Sequence, residues 1–121
     1  MGGAVVYTNE TKARILGLDP DMIEEKGAVS FEVAKALAEN VRALTGADIG
    51  IGVTGLAGPD GDGVHPVGTV FVSMAVEGRT YVRSLHMGQK RTRSFIRRMS
   101  GNHAFDMMRR WLTGLEVEIV I

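Results

Sequence analysis

The chain has 121 residues, 14 basic and 14 acidic side chains, three histidines and no cysteine. Balanced charge removes any general attraction to nucleic acid or an anionic membrane, and the lack of cysteine removes disulfides, thiol nucleophiles and thiolate metal ligands. One domain of this size buries about two thirds of its unfolded surface; with no signal-peptide pattern and no apolar run near the ~20 residues that span a bilayer, a soluble, cytoplasmic protein is expected.

Met1 to Tyr7 opens as a short β-type run. Thr8 or Asn9 can cap a short helix over Glu10 to Leu16, ended by Gly17, and Asp19 to Lys26 makes a second with Pro20 in its first turn. Ser30 then caps the clearest helix, Phe31 to Thr45, which Gly46 stops. Val33, Ala34, Leu37, Val41 and Leu44 fall on one face at the helical period, with Glu32, Lys35, Glu39 and Arg42 opposite, so that face is expected to pack on a sheet.

Ile49 to Val72 reads as strand, glycine loop, strand. Ile49, Ile51 and Val53 are apolar, while Gly50, Gly52 and Gly55 leave one side of the strand bare; close approach to the backbone there points to a site. The turn formers of Gly55 to Gly68 forbid helix or strand until Val67, which gives a ligand-facing loop or, as its commoner counterpart, a solvated connection. Gly68 to Val76 and Thr80 to Met87 form an antiparallel hairpin. A long helix from about Thr92 to Leu112 follows, Gly114 ends it, and Glu116 to Ile121 is a strand-like tail. Alternating strands and helices give an α/β layered domain with a mixed central sheet.

Several motifs fail on context. Gly50-Ile51-Gly52-Val53-Thr54-Gly55 has the letters of a dinucleotide fingerprint, but its glycines lie within a strand and no helix follows. No Gly-Lys-Ser/Thr ends the glycine run, so it is not a phosphate loop of the nucleotide-hydrolase type. Asp60 and Asp62 lack further oxygen ligands, and His65, His86 and His103 have no ligand spacing, so no metal is expected.

On the last helix, Arg93 and Arg97 share a stripe with Ser100, Ala104, Met107, Met108 and Trp111, whereas Arg98, Arg109 and Arg110 project the other way as solvated side chains. Inward arginines near a helix N-terminus make a phosphate or carboxylate pocket, or a structural salt bridge. Lys12 sits in the first turn of its helix, where the dipole disfavours a cation and favours a neutral amine able to act as a base. Tyr7 ends the preceding strand and can set its hydroxyl beside it; a solvated surface lysine is the plainer alternative.

Taken together, GGAVVYTNETK, KGAVSFEVAKALAENV, ADIGIGVTGLAGPDG, PVGTVFVS and RSFIRRMSGNHAFDMMRRW resemble the CinA C-terminal domain family, the nicotinamide-nucleotide amidases. The resemblance runs from about Gly2 to Trp111 and rests most on the Tyr-Ser/Thr-Asn-x-x-Lys run and the Thr-Gly-x-Ala-Gly-Pro-x-Gly loop. It implies an α/β/α sandwich that hydrolyses the carboxamide of nicotinamide mononucleotide to nicotinic acid mononucleotide and ammonia, by serine-based chemistry without metal or cofactor. By that resemblance Lys12 is the general base with Tyr7 beside it, and Asn9, Thr54, Gly55, Ala57, Gly58, Arg93 and Arg97 surround the substrate. Gln89 to Arg91 are extra residues relative to the family before the last helix.

The family's nucleophilic serine lies in a segment before the Gly-Gly-x-Val-x-Tyr run and has no counterpart here. Ser30, Ser73, Ser84, Ser94 and Ser100 all fall in other elements. Residues 1–121 are therefore expected to be one domain, shortened at the N-terminus relative to the family and inactive as it stands. The alternative is a non-catalytic nucleotide-binding or interaction module. The partner expected in either case is a small-molecule nucleotide. An apolar face on the tail, with Val117, Ile119 and Ile121 aligned, adds the expectation of a homo-oligomer.

Overall fold

The computed structural model describes Asp21 and residues 30–55, 69–88 and 93–118. Helix α1 spans Phe31–Thr45, strands β1, β2 and β3 span Gly50–Gly55, Thr69–Val76 and Arg79–His86, and helix α2 spans Arg93–Leu112. Local chemistry accounts for the bounds of α1. The Ser30 hydroxyl accepts the Val33 N–H at 3.2 Å, and Gly46 adopts φ 68° while its N–H donates to the Arg42 carbonyl.

The three strands form a sheet in the order β1-β2-β3, both pairings antiparallel. Glu77 and Gly78 make the two-residue turn between β2 and β3, with Gly78 at φ 80°, a value that suits glycine. The first run, Met1 to Tyr7, whose pairing bears on a mixed sheet, lies outside the described residues, as do the helix expected over Glu10 to Leu16 and the glycine loop.

Each strand of the sheet has two working faces, and the helices take one each. Thr69, Phe71, Ser73 and Ala75 face α1: the Ser73 hydroxyl lies 2.5 Å from the Ala34 carbonyl and 3.2 Å from the Gly52 carbonyl. Val70, Val72, Met74 and Val76 face the other way and form one buried cluster with Leu85, Ile96, Ala104, Met107 and Val117. Helix, sheet and helix therefore stack as an α/β/α sandwich, as expected.

The bare side of β1 is occupied by α1 itself. A Cβ on Gly50 would strike the Ala38 carbonyl oxygen, and one on Gly52 would come within 2.7 Å of the Ala34 carbonyl oxygen and 2.8 Å of the Ala38 nitrogen. These glycines let a helix backbone settle directly on the strand, so the close approach inferred from sequence is packing rather than a ligand. The buried face of α1 shifts accordingly to Val33, Ala34, Leu37 and Ala38. Leu44, expected in the core, is 62% exposed; Ala38 and Arg42 already lie against Gly50, the first residue of β1, so Leu44 falls past the start of that strand.

Two further expectations change. Glu116 to Glu118 form no strand, although Val117 is buried in the α2-side core. On α2 the buried residues are Ile96, Ser100, Ala104 and Met107; Arg97 is exposed and Trp111 is 37% exposed. Ser100, Ala104 and Met107 belong to the expected stripe, so the buried face departs from it at its ends, where Ile96 rather than Arg97 is covered and Trp111 is partly exposed.

Candidate functional site

Ala34 sits against Gly52, and Ala38 and Arg42 against Gly50, so α1 runs antiparallel to β1. The Arg42 side chain also donates to the Asp48 carbonyl just before the strand, at 3.1 Å. At about 1.5 Å of rise per residue, the N-terminus of α1 at Ser30 therefore reaches the end of the sheet where β1 finishes at Thr54 and Gly55. Gly55 pairs with Val70, and Thr69 pairs with His86, so β2 begins and β3 finishes at this same end. Residues 87–92 link β3 to α2, whose early residue Ile96 packs in the cluster that holds Val70 and Leu85. The N-terminus of α1, with a field that favours negative charge, thus lies at this end of the sheet, and α2 begins at the seventh residue after β3 finishes there.

Four of the residues expected around a substrate are described, and two of them, Thr54 and Gly55, fall at this end. Thr54 is buried on the α1 face, and Gly55 is the exposed last residue of β1. Arg93 opens α2, and Arg97, one turn on, is exposed rather than turned into the core. Tyr7, Asn9, Lys12, Ala57 and Gly58 lie outside the described residues. On the α1 face Thr54 and Thr69 are diagonal neighbours across the β1–β2 pairing, and the Ser84 hydroxyl lies 3.2 Å from His86 Nε2. Among the described residues no group of three or more His, Asp or Glu side chains is placed to hold a metal ion.

A second polar cluster, on the α2 face, was not foreseen. Arg83 points from the middle of β3 into the core and is among the largest fully buried side chains. Its Nε donates to the Val117 carbonyl at 2.8 Å, one terminal nitrogen donates to His103 Nδ1 at 3.0 Å, and the other donates to Asp106 at 2.9 Å. Asp106 also accepts from Arg109 at 2.8 Å and from Arg110 at 2.9 Å. Hydrogen bonds from Arg109 and then Arg83 hold its carboxyl well below the usual carboxylate range. Burial, followed by the Arg83 charge, lowers the His103 pKa from 6.5. Arg109, read from sequence as solvated, is exposed and also ion-paired, whereas Arg110, read the same way, is half-buried and ion-paired. The available signal was alternation: Tyr81, Arg83 and Leu85 share one face of a strand, which sets an arginine at an inward position. This cluster satisfies itself and anchors the residues after α2, so it is structural.

An α/β/α domain with a polar site at one end of its sheet is the class that these features define. Residues 1–112 match the family model described as the CinA C-terminal domain, and the chain belongs to that family. It is 45% identical over 117 residues to a putative competence-damage inducible protein of Caldanaerobacter subterraneus subsp. tengcongensis, covering 96% of this chain and 28% of the relative. The chain thus spans little more than a quarter of the length of the curated relatives it matches. Among solved structures it is similar to the competence/damage inducible protein CihA of Agrobacterium tumefaciens, with TM-score 0.80 and 29% identity over 86% of this chain and 64% of that one. The competence damage-inducible protein A of Klebsiella pneumoniae subsp. pneumoniae shares the fold with TM-score 0.83, at 24% identity over 91% of this chain and 68% of that one.

Proposed function

We propose that this chain is the substrate-binding body of an amidohydrolase that converts nicotinamide mononucleotide to nicotinic acid mononucleotide, releasing ammonia. The observation that carries the reading is the meeting of Thr54, Gly55 and the N-terminus of α1 at the end of the sheet from which the chain leads on into α2. Such an end suits an anionic ligand, since unsatisfied N–H groups and the helix field both favour negative charge. Arg93 and Arg97 in the first turns of α2 supply the countercharge for a phosphate. Lys12 acts as the base and Tyr7 orients it, while Asn9, Ala57 and Gly58 complete the pocket with Thr54 and Gly55.

Family membership supports hydrolase chemistry of this kind. The second reading is a nucleotide-binding or interaction module without turnover. Calorimetry with nicotinamide mononucleotide, paired with an ammonia-release assay, separates the readings. Binding with release supports the amidase, and binding without release supports the module. No binding at millimolar ligand refutes both.

A further inference from the structure

Among the described residues, the Thr69 hydroxyl is buried and has no hydrogen-bond partner, and the whole residue is 1% exposed. Threonine and valine are close in shape, so packing alone would be served better by valine; a buried hydroxyl left unpaired is unfavourable. Thr69 is the first residue of β2 and lies on the α1 face. It stands opposite His86, diagonal to Thr54, and at the end of the sheet where α1 begins. The neighbouring polar groups have partners: Ser84 lies against His86, and the Ser30 hydroxyl caps α1.

We propose that the Thr69 hydroxyl is a ligand-positioning group, donating a hydrogen bond to an acceptor oxygen of the molecule bound at this end of the sheet. The inference rests on the functional reading above and adds a residue to it. A single hydroxyl on a rigid strand, beside a helix N-terminus, fixes one oxygen of a ligand without adding charge. That oxygen belongs to the phosphate, the ribose or the carboxamide of a pyridine nucleotide.

The test compares the wild type with Thr69→Val and Thr69→Ser by calorimetry against nicotinamide mononucleotide, nicotinamide riboside and nicotinamide, with thermal unfolding of each protein alongside. Thr69→Val is expected to unfold at the wild-type temperature or above it and to bind the mononucleotide roughly tenfold more weakly, the loss of one hydrogen bond. Thr69→Ser should restore the affinity. The ligand whose affinity stops responding to Thr69→Val, as the phosphate and then the ribose are removed, identifies the oxygen held. Unchanged affinity in Thr69→Val, or a fall in its unfolding temperature with affinity intact, overturns the proposal and leaves the functional reading standing. If the wild type binds none of the three ligands at millimolar concentration, both fail together.

Discussion

Arg83 lies 2.9 Å from Asp106, with its side chain 1% exposed and that of Asp106 31% exposed. The pair joins the middle of β3 to the fourth turn of α2, and the same guanidinium also holds the Val117 carbonyl and His103. One side chain therefore ties a strand, a helix and the segment after the helix together.

A buried charge stripped of its partner is costlier than a charge removed along with its side chain. Asp106→Asn should destabilise the protein by roughly 3 kcal/mol, because Arg83 remains inside with its neutralising carboxylate gone. Arg83→Met should cost less, since a long apolar side chain fills most of the space and takes the charge away. Urea unfolding of the two variants checks the order; an Asp106→Asn variant as stable as wild type would show that the pair contributes little.

His103 should make stability depend on pH. Arginine has no acceptor, so Arg83 donates and His103 Nδ1 must accept, which requires the neutral ring. The folded-state pKa is lowered from 6.5 by burial and by Arg83, with Asp106 opposing. Above pH 6.5 the ring is neutral in both folded and unfolded chains and contributes no slope. As pH falls below 6.5 the unfolded chain takes up its proton first, so stability declines until the folded pKa is passed. Urea midpoints measured from pH 8 to pH 5 should fall in the lower part of this range, and His103→Gln should flatten that part of the profile.

Gly50 and Gly52 should tolerate no side chain. The nearest atoms that a methyl group would meet belong to the backbone of α1 at Ala34 and Ala38, which cannot rotate aside, with Arg42 and the Ser73 hydroxyl next. Gly52→Ala should cost about 3 kcal/mol, the upper end of overpacking, by lifting the helix from the sheet. Gly46→Ala, where nothing lies within 4 Å but φ is 68°, should cost only about 1 kcal/mol. Chemical denaturation of the two variants tests the separation, and equal losses would mean that α1 moves freely over β1.

Helix α1 was legible because three independent signals agree: a capping serine, a helical apolar period and a stopping glycine. The β2–β3 hairpin was legible from its β-branched runs and the Glu77-Gly78 turn. Less readable were the ends of the buried face of α2: Ser100, Ala104 and Met107 are buried as the helical period indicates, but the bonds from Arg83 to His103 and Asp106 come from another element, which a helical period cannot reveal. Periodicity placed Arg97 inward and Arg110 in solvent; the structure exposes Arg97 and pairs Arg110 with Asp106. The glycines of β1 were recognised as a place of close approach, but composition does not say whether a ligand or a helix makes it. Of the candidate site, the start of α2 was read to within one residue, whereas Gly55, read as the first residue of the glycine loop, is the last residue of β1. Thr69 escaped notice because a threonine in a strand is ordinary until its hydroxyl is seen to lack a partner.

The segment after α2 offers the last prediction. Val117 is 4% exposed, its carbonyl accepts from Arg83 at 2.8 Å, and the Glu116 carbonyl lies 3.3 Å from an Arg110 terminal nitrogen. These contacts are made within one chain, so the segment is docked on its own subunit as far as Val117. Deleting residues 116–121 should therefore leave a buried arginine short of an acceptor and remove an apolar side chain from the core. The expected loss is about 2 to 4 kcal/mol, combining an unsatisfied charged donor with a vacated valine site. A tail exchanged between subunits would behave differently, because its removal would lower the mass seen by light scattering along with the stability. The expected result is a lower unfolding midpoint at unchanged mass, whatever oligomer the intact chain forms. A fall in mass on deletion would show that residues 116–121 join one copy of the chain to another.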